Sequence, residues 1–162
     1  MVVLTEALNT DHSSVDKPTT TVALDYGEIR MGNDEKVRLY GIPGQRRFNF
    51  MWRILKQRAE GMILLVNNDA ENAVRVMLEF LDEFAALYDR GGIVVGVTRF
   101  DVAAERPLAE YAEAVMAAHP GLLIPVFSVD ARSSDDMRMA LMSLILNMEM
   151  RATYGAREVQ SA

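Results

Sequence analysis

Three short stretches carry residue types suited to chemistry. Gly41-Ile42-Pro43-Gly44-Gln45-Arg46-Arg47-Phe48 gathers glycines, an amide and two cations into one turn, and Thr98-Arg99-Phe100-Asp101 and Asp130-Ala131-Arg132 each set a carboxylate beside an arginine. A glycine lets backbone N–H groups approach a ligand closely, and a carboxylate accepts two hydrogen bonds at once. Gln45 has no useful pKa and can act only by positioning. A threonine run, Thr19-Thr20-Thr21, adds hydroxyl oxygens. The absence of cysteine excludes disulfides and thiolate metal sites, and His12 and His119 stand too far apart in sequence to suggest a ligand cluster.

Ligands of an α/β sheet sit beyond the carboxyl ends of its strands, so the elements preceding these stretches decide what they mean. "TTTVALDYGEI" and the alternating "KVRLYGI", joined by "MGNDE", predict a hairpin of Thr20–Ile29 against Lys36–Ile42. "GMILLVN" (Gly61–Asn67), "GGIVVGVT" (Gly91–Thr98) and "LLIPVFSV" (Leu122–Val129) are continuous apolar runs, as in strands covered on both faces. Between them, Val74, Met77, Leu81, Phe84 and Tyr88 fall on one helical face, and Leu108, Tyr111, Val115 and Met116 on another. A last helix is expected from about Asp135 to Met150, with Ser133 or Ser134 as N-cap. Strands alternating with helices predict a three-layer α/β fold with a mainly parallel sheet. Met1–Lys17 reads as a polar loop.

The chain has 162 residues, half of them hydrophobic, which suits a single folded domain. A net charge of −6 argues against a nucleic-acid backbone as partner. No apolar run approaches the roughly 20 residues that span a bilayer, and no leader pattern opens the chain, so cytoplasmic localisation is the default expectation.

In this order and spacing, the three stretches resemble the motifs of Ras-like small GTPases. Gly44 and Gln45 correspond to the glycine of Asp-x-x-Gly and to the glutamine that orients attacking water. Thr98, Arg99 and Asp101 resemble the guanine-reading Asn/Thr-Lys-x-Asp, with the Arg99 stem over the base, and Asp130, Ala131 and Arg132 resemble the Ser-Ala-Lys loop. Thr19–Thr21 resembles switch I, which would make Thr20 a magnesium ligand. "TTTVALDYG" followed by "GIPGQRRF" is similar to a bacterial branch of predicted Ras-like GTP-binding proteins linked with roadblock-type regulators. The resemblance covers residues 19–150, as a G-domain core between a polar segment, 1–18, and a C-terminal tail, 151–162. It implies GTP/GDP and Mg²⁺ as ligands, a protein regulator and a switch function in signalling.

Plainer readings stand beside these. Gly41–Gly44 can serve as a strand-ending turn, Asp101 as the N-cap of a short turn before "VAAERP", and Thr19–Thr21 as strand formers. Phe48, Phe50, Met51 and Trp52 suit core or partner contacts. A receiver-like fold would need a phosphoacceptor carboxylate at a strand end, which Asp69 and Asp101 fit poorly. Two departures from the family matter more. Gly41 stands where the family has its magnesium-linked aspartate, and no Gly-x-x-x-x-Gly-Lys-Ser/Thr occurs in the sequence. The central strand and its phosphate loop are therefore expected to be missing, as in an N-terminally shortened, incomplete P-loop NTPase-like domain. The alternative is a non-catalytic pseudo-GTPase acting as an interaction module. An empty central slot would leave ladder groups unpaired, which predicts a homo-oligomer, a domain swap or a rearranged sheet, with "MVVLTEAL" as the only internal filler.

Overall fold

A computed structural model describes residues 2–7, 25–31, 35–44, 49–103 and 106–160. Alternation and continuous apolar runs become the strands β1 (Val2–Ala7), β2 (Asp25–Met31), β3 (Glu35–Pro43), β4 (Gly61–Asn67), β5 (Ile93–Thr98) and β6 (Val126–Ser128). The helices are α1 (Asn49–Arg58), α2 (Ala73–Glu83), α3 (Leu108–Ala118) and α4 (Ser134–Gln160), with a short 3-10 turn at Ala85–Leu87. The sheet runs β2-β3-β1-β4-β5-β6. Among the described strands only β2 is antiparallel to its neighbour, with Tyr26 opposite Tyr40 and Glu28 opposite Arg38.

This is an α/β fold with a mainly parallel sheet and helices on both faces. Met62, Leu64, Val66, Ile93, Val95 and Val97 pack with α1, α2 and α3 in one core, while Ile63 and Val94 pack with Ala140, Leu141 and Leu144 of α4 in a second. Period-two alternation in β4 and β5 sends successive side chains into opposite layers. That is why these runs show no polar alternation.

Several expectations need correction. The central slot is not empty: Val2–Ala7 lies in parallel between β3 and β4, pairing Val2 with both Leu39 and Gly61. A segment read as loop is therefore the innermost strand, and its ladder groups remove the reason for expecting an oligomer, a domain swap or a rearranged sheet. Stretch α1 breaks no rule but shows little pattern, since only Trp52 and Leu55 are buried along it. Met116, assigned to a buried face, is 64% exposed. Strand β6 covers only Val126–Ser128 of the expected Leu122–Val129, because Leu122 and Leu123 are exposed and Pro125 has no N–H to give the ladder. Helix α4 continues to Gln160, so most of the expected tail is helical. The hairpin spans Asp25–Met31 and Glu35–Pro43, and its expected start at Thr20 lies outside the described residues.

Candidate functional site

Because β3, β1, β4, β5 and β6 are mutually parallel, their carboxyl ends share one edge. Gly44 follows β3, Asp101 follows β5 and Asp130 follows β6, so all three belong to that edge. A cavity of about 550 Å³ opens there. Its lining includes Thr98, Arg99, Asp101, Asp130, Ala131 and Arg132, which are the six residues expected from the two later stretches.

Thr98 is the buried foot of the site. Its hydroxyl donates to Asn67 Oδ1 at 2.8 Å and approaches Val66 O at 3.3 Å, while its carbonyl accepts the Asn68 N–H at 3.0 Å. The chain then reverses at Arg99, whose φ of 65° is a left-handed conformation that side-chain-bearing residues seldom adopt. The Arg99 carbonyl accepts from the N–H groups of Val102 and Ala103, closing a tight turn that carries Asp101 to the rim. The Arg99 guanidinium pairs with Asp69 at 3.0 Å.

Across the cavity, Asp130 Oδ1 accepts the Arg132 N–H and Nε at 2.9 Å, and its Oδ2 accepts Nη2 at 2.9 Å. Arg132 therefore holds the Asp130 carboxyl below the usual carboxylate range, and Asp130, with Asp101, holds the guanidinium above its ordinary value. The same Nη2 reaches Asp101 Oδ2 at 3.1 Å, so one guanidinium ties the two loops together. Beneath it, the Asp130 N–H donates to Asp136 Oδ2 at 2.8 Å. Ser133 caps α4, exchanging hydrogen bonds with the Asp136 N–H and carboxylate.

Sequence reasoning did not find the lower tier of the site. Asn68 is buried; its side-chain amide donates to the carbonyls of Ala103 and Arg106, and its Oδ1 accepts the Tyr111 hydroxyl at 2.8 Å. Arg106 Nη1 donates back to the carbonyls of Asn68 and Ala70 at 3.1 and 3.0 Å. This lattice locks the loop after β4 to the segment leading into α3. "NND" after the apolar run of β4 was its only signal, and Arg106 had none.

Gly44 is buried at the end of β3. Gln45, Arg46, Arg47 and Phe48 lie outside the described residues, as do Thr19, Thr20 and Thr21. A side chain at Gly41 would meet Asp25 Cβ at 3.1 Å, with Asp25 Oδ2 at 3.8 Å, so the neighbouring strand supplies a carboxylate beside the position where the family carries one. It stands by itself: among the described residues no group of three or more His, Asp or Glu side chains could hold a metal ion. His119 Nε2 lies 3.6 Å from Asp82 Oδ1, and its ring packs against the Tyr88 ring at 5.6 Å. No helix among the described residues is long and apolar enough to cross a membrane.

No protein-family model matches the chain, and no curated protein matches it.

Proposed function

We propose that this chain is a guanine-nucleotide-binding domain with a Ras-like, P-loop NTPase-like layout, in which the base-reading part is built and the phosphate-holding part is deficient. The observation that carries this reading is convergence. Residues 98–101 and 130–132, about thirty positions apart, line one cavity at the carboxyl edge of a parallel sheet, where such sheets bind ligands. At the rim, the Asp101 carboxylate can accept from a guanine N1–H and its exocyclic amine. Adenine offers an acceptor at N1 and would oppose that carboxylate. A site built to pair hydrogen bonds rejects the base that lacks them.

The phosphates would find less. Residues 8–24, which follow the central strand, contain no glycine, so the sequence supplies no backbone nest with the paired lysine and hydroxyl. Tight GTP binding and hydrolysis by this chain are therefore not part of the proposal, and the roles of Gln45 in orienting water and of Thr20 at a metal rest on resemblance alone, as does a roadblock-type regulator.

Titrating the protein with guanosine, adenosine, GDP and GTP tests the reading. Guanosine should bind at least about tenfold more tightly than adenosine, with GTP gaining less than about tenfold over guanosine. Asp101→Asn should erase the preference. Equal binding of the two nucleosides, or sub-micromolar GTP binding, would overturn it. One observation favours the second reading, a non-catalytic interaction module: α1 turns Phe50 and Ile54 outward, 54% and 61% exposed and one helical turn apart. On that reading neither nucleoside binds, and loss of a partner follows Ile54→Ser.

A further inference from the structure

A second cavity, of about 560 Å³, lies on the same face as α1 but toward the opposite edge of the sheet, lined by Lys36, Arg38, Tyr40 and Arg58. Strand alternation puts Lys36, Arg38 and Tyr40 on one face of β3, and the hairpin register sets Arg30, Glu28 and Tyr26 directly across from them. Arg58 enters from the last turn of α1. Three cations thus converge in one recess of a protein whose net charge is −6.

Their compensation is incomplete. Glu28 lies 3.0 Å from Lys36 Nζ and 3.9 Å from Arg38 Nε, and accepts the Tyr26 hydroxyl at 3.3 Å. Lys36 holds its carboxyl below the usual range, so it stays charged. Arg58 has no ion-pair partner among the described residues, and it is not needed as a helix cap, because Arg90 donates to the carbonyls of Lys56 and Ala59 at the end of α1. Lys56, the other cation of that turn, pairs with Glu83. At least two positive charges of the recess therefore lack a counter-charge among the described residues, and Arg30, across from Lys36, adds to the excess.

We propose that this recess binds the phosphate group of a small phosphate monoester. Such a group carries about −1.5 to −2 charges at neutral pH, which offsets most of the excess, whereas one carboxylate would leave at least half of it. Guanidinium groups such as those of Arg38 and Arg58 suit a tetrahedral oxyanion with paired N–H donors. The Tyr40 ring, held at 5.2 Å from the Tyr26 ring, offers a flat wall for an organic substituent. The volume lies within the range of small-molecule sites. The site is independent of the nucleotide pocket, which opens at the other edge.

Calorimetric or NMR titration of the full chain with inorganic phosphate and phenyl phosphate, at ionic strength held constant with sodium chloride, tests the proposal. Saturable binding is expected for both. Phenyl phosphate binding more tightly indicates an ester, and equal binding indicates that the phosphate alone is read. Arg58→Ala and Arg38→Gln should each weaken binding about tenfold, as expected for the loss of charge-assisted hydrogen bonds. Glu28→Gln should strengthen it. Arg75→Ala, at an exposed pair with Glu79 on α2, should change nothing. Absence of saturation at constant ionic strength, or parent-like binding by Arg58→Ala, would overturn the proposal.

Discussion

Leu64 in β4 and Val37 in β3 are both strand aliphatics one ladder from β1, yet Leu64 is 0% exposed and Val37 is only partly buried. The contrast extends to their surroundings. β4 and β5 are sandwiched between two cores, whereas α4 lies mainly over β4 and β5, leaving Val37 and Leu39 at the margin of the second core. β2 is more open still, with Tyr26 56% and Ile29 39% exposed. Packing on both faces of β4 and β5 gives the Thr98 side of the polar site a firm base, whereas the Asp130 loop springs from the edge strand β6, which is only partly buried. The hairpin end lacks that support and presents charge instead.

The largest expected effect contrasts the two ends directly. Leu64→Ala should cost about 3 kcal/mol of stability, because its site is closed on all sides, while Val37→Ala should cost about 1 kcal/mol or less. Urea unfolding of both variants measures the difference; equal losses would mean that the hairpin end is as tightly closed as the centre. Next, Asn68→Ala should cost about 2 kcal/mol, since it removes the acceptor of the buried Tyr111 O–H, which keeps only the Arg106 donor, and the amide donor of the Ala103 and Arg106 carbonyls. It should also weaken guanosine binding, which a purely structural role away from the pocket would leave unchanged.

A smaller effect concerns pH. Burial pushes the Tyr88 phenol well above its ordinary value, and the hydroxyl donates to Leu81 O at 3.0 Å. A raised folded-state pKa favours the neutral form in the native protein, so this stabilisation is complete below about pH 10 and is lost as pH rises beyond it. Alkaline unfolding should therefore accompany tyrosinate absorbance, and Tyr88→Phe should flatten the stability curve above pH 10. The smallest expected effect is at the rim. Arg132 occupies Asp101 at 3.1 Å, and both side chains are exposed, so Arg132→Gln should strengthen binding of uncharged guanosine by no more than about fivefold. The parent should show a rise in guanosine affinity with added salt, which the variant should lack.

What could be read from the sequence divides along the same line. The runs of β4 and β5 are apolar on both faces because both faces are covered, and local composition records this. Thr98–Asp101 sits at the end of β5 and Asp130–Arg132 just beyond β6, so placing the ends of those two runs placed the pocket residues, although only Val126–Ser128 of the second run is strand. Val2–Ala7 carried no such mark. Its role depends on partners more than thirty residues away, Leu39 and Gly61, and six residues interrupted by Thr5 and Glu6 do not announce a central strand. Helix α1 was hidden because the exposed Phe50 and Ile54 blur its apolar stripe. The Asn68, Arg106 and Tyr111 lattice joins three segments through carbonyl groups, which no side-chain pattern encodes.

The bond from the Asp130 N–H to Asp136 fastens the first turn of α4 to the rim of the pocket, and the whole helix runs 27 residues. At 1.5 Å per residue it is a rod of about 40 Å. Ala140, Leu141 and Leu144 seat its middle on β4 and β5, so the sheet sets its direction and the Asp136 carboxylate sets where it begins. The pocket rim and the second core thus share one rigid strut, and a reporter label near its first turn would read a change in the Asp130 loop as distance.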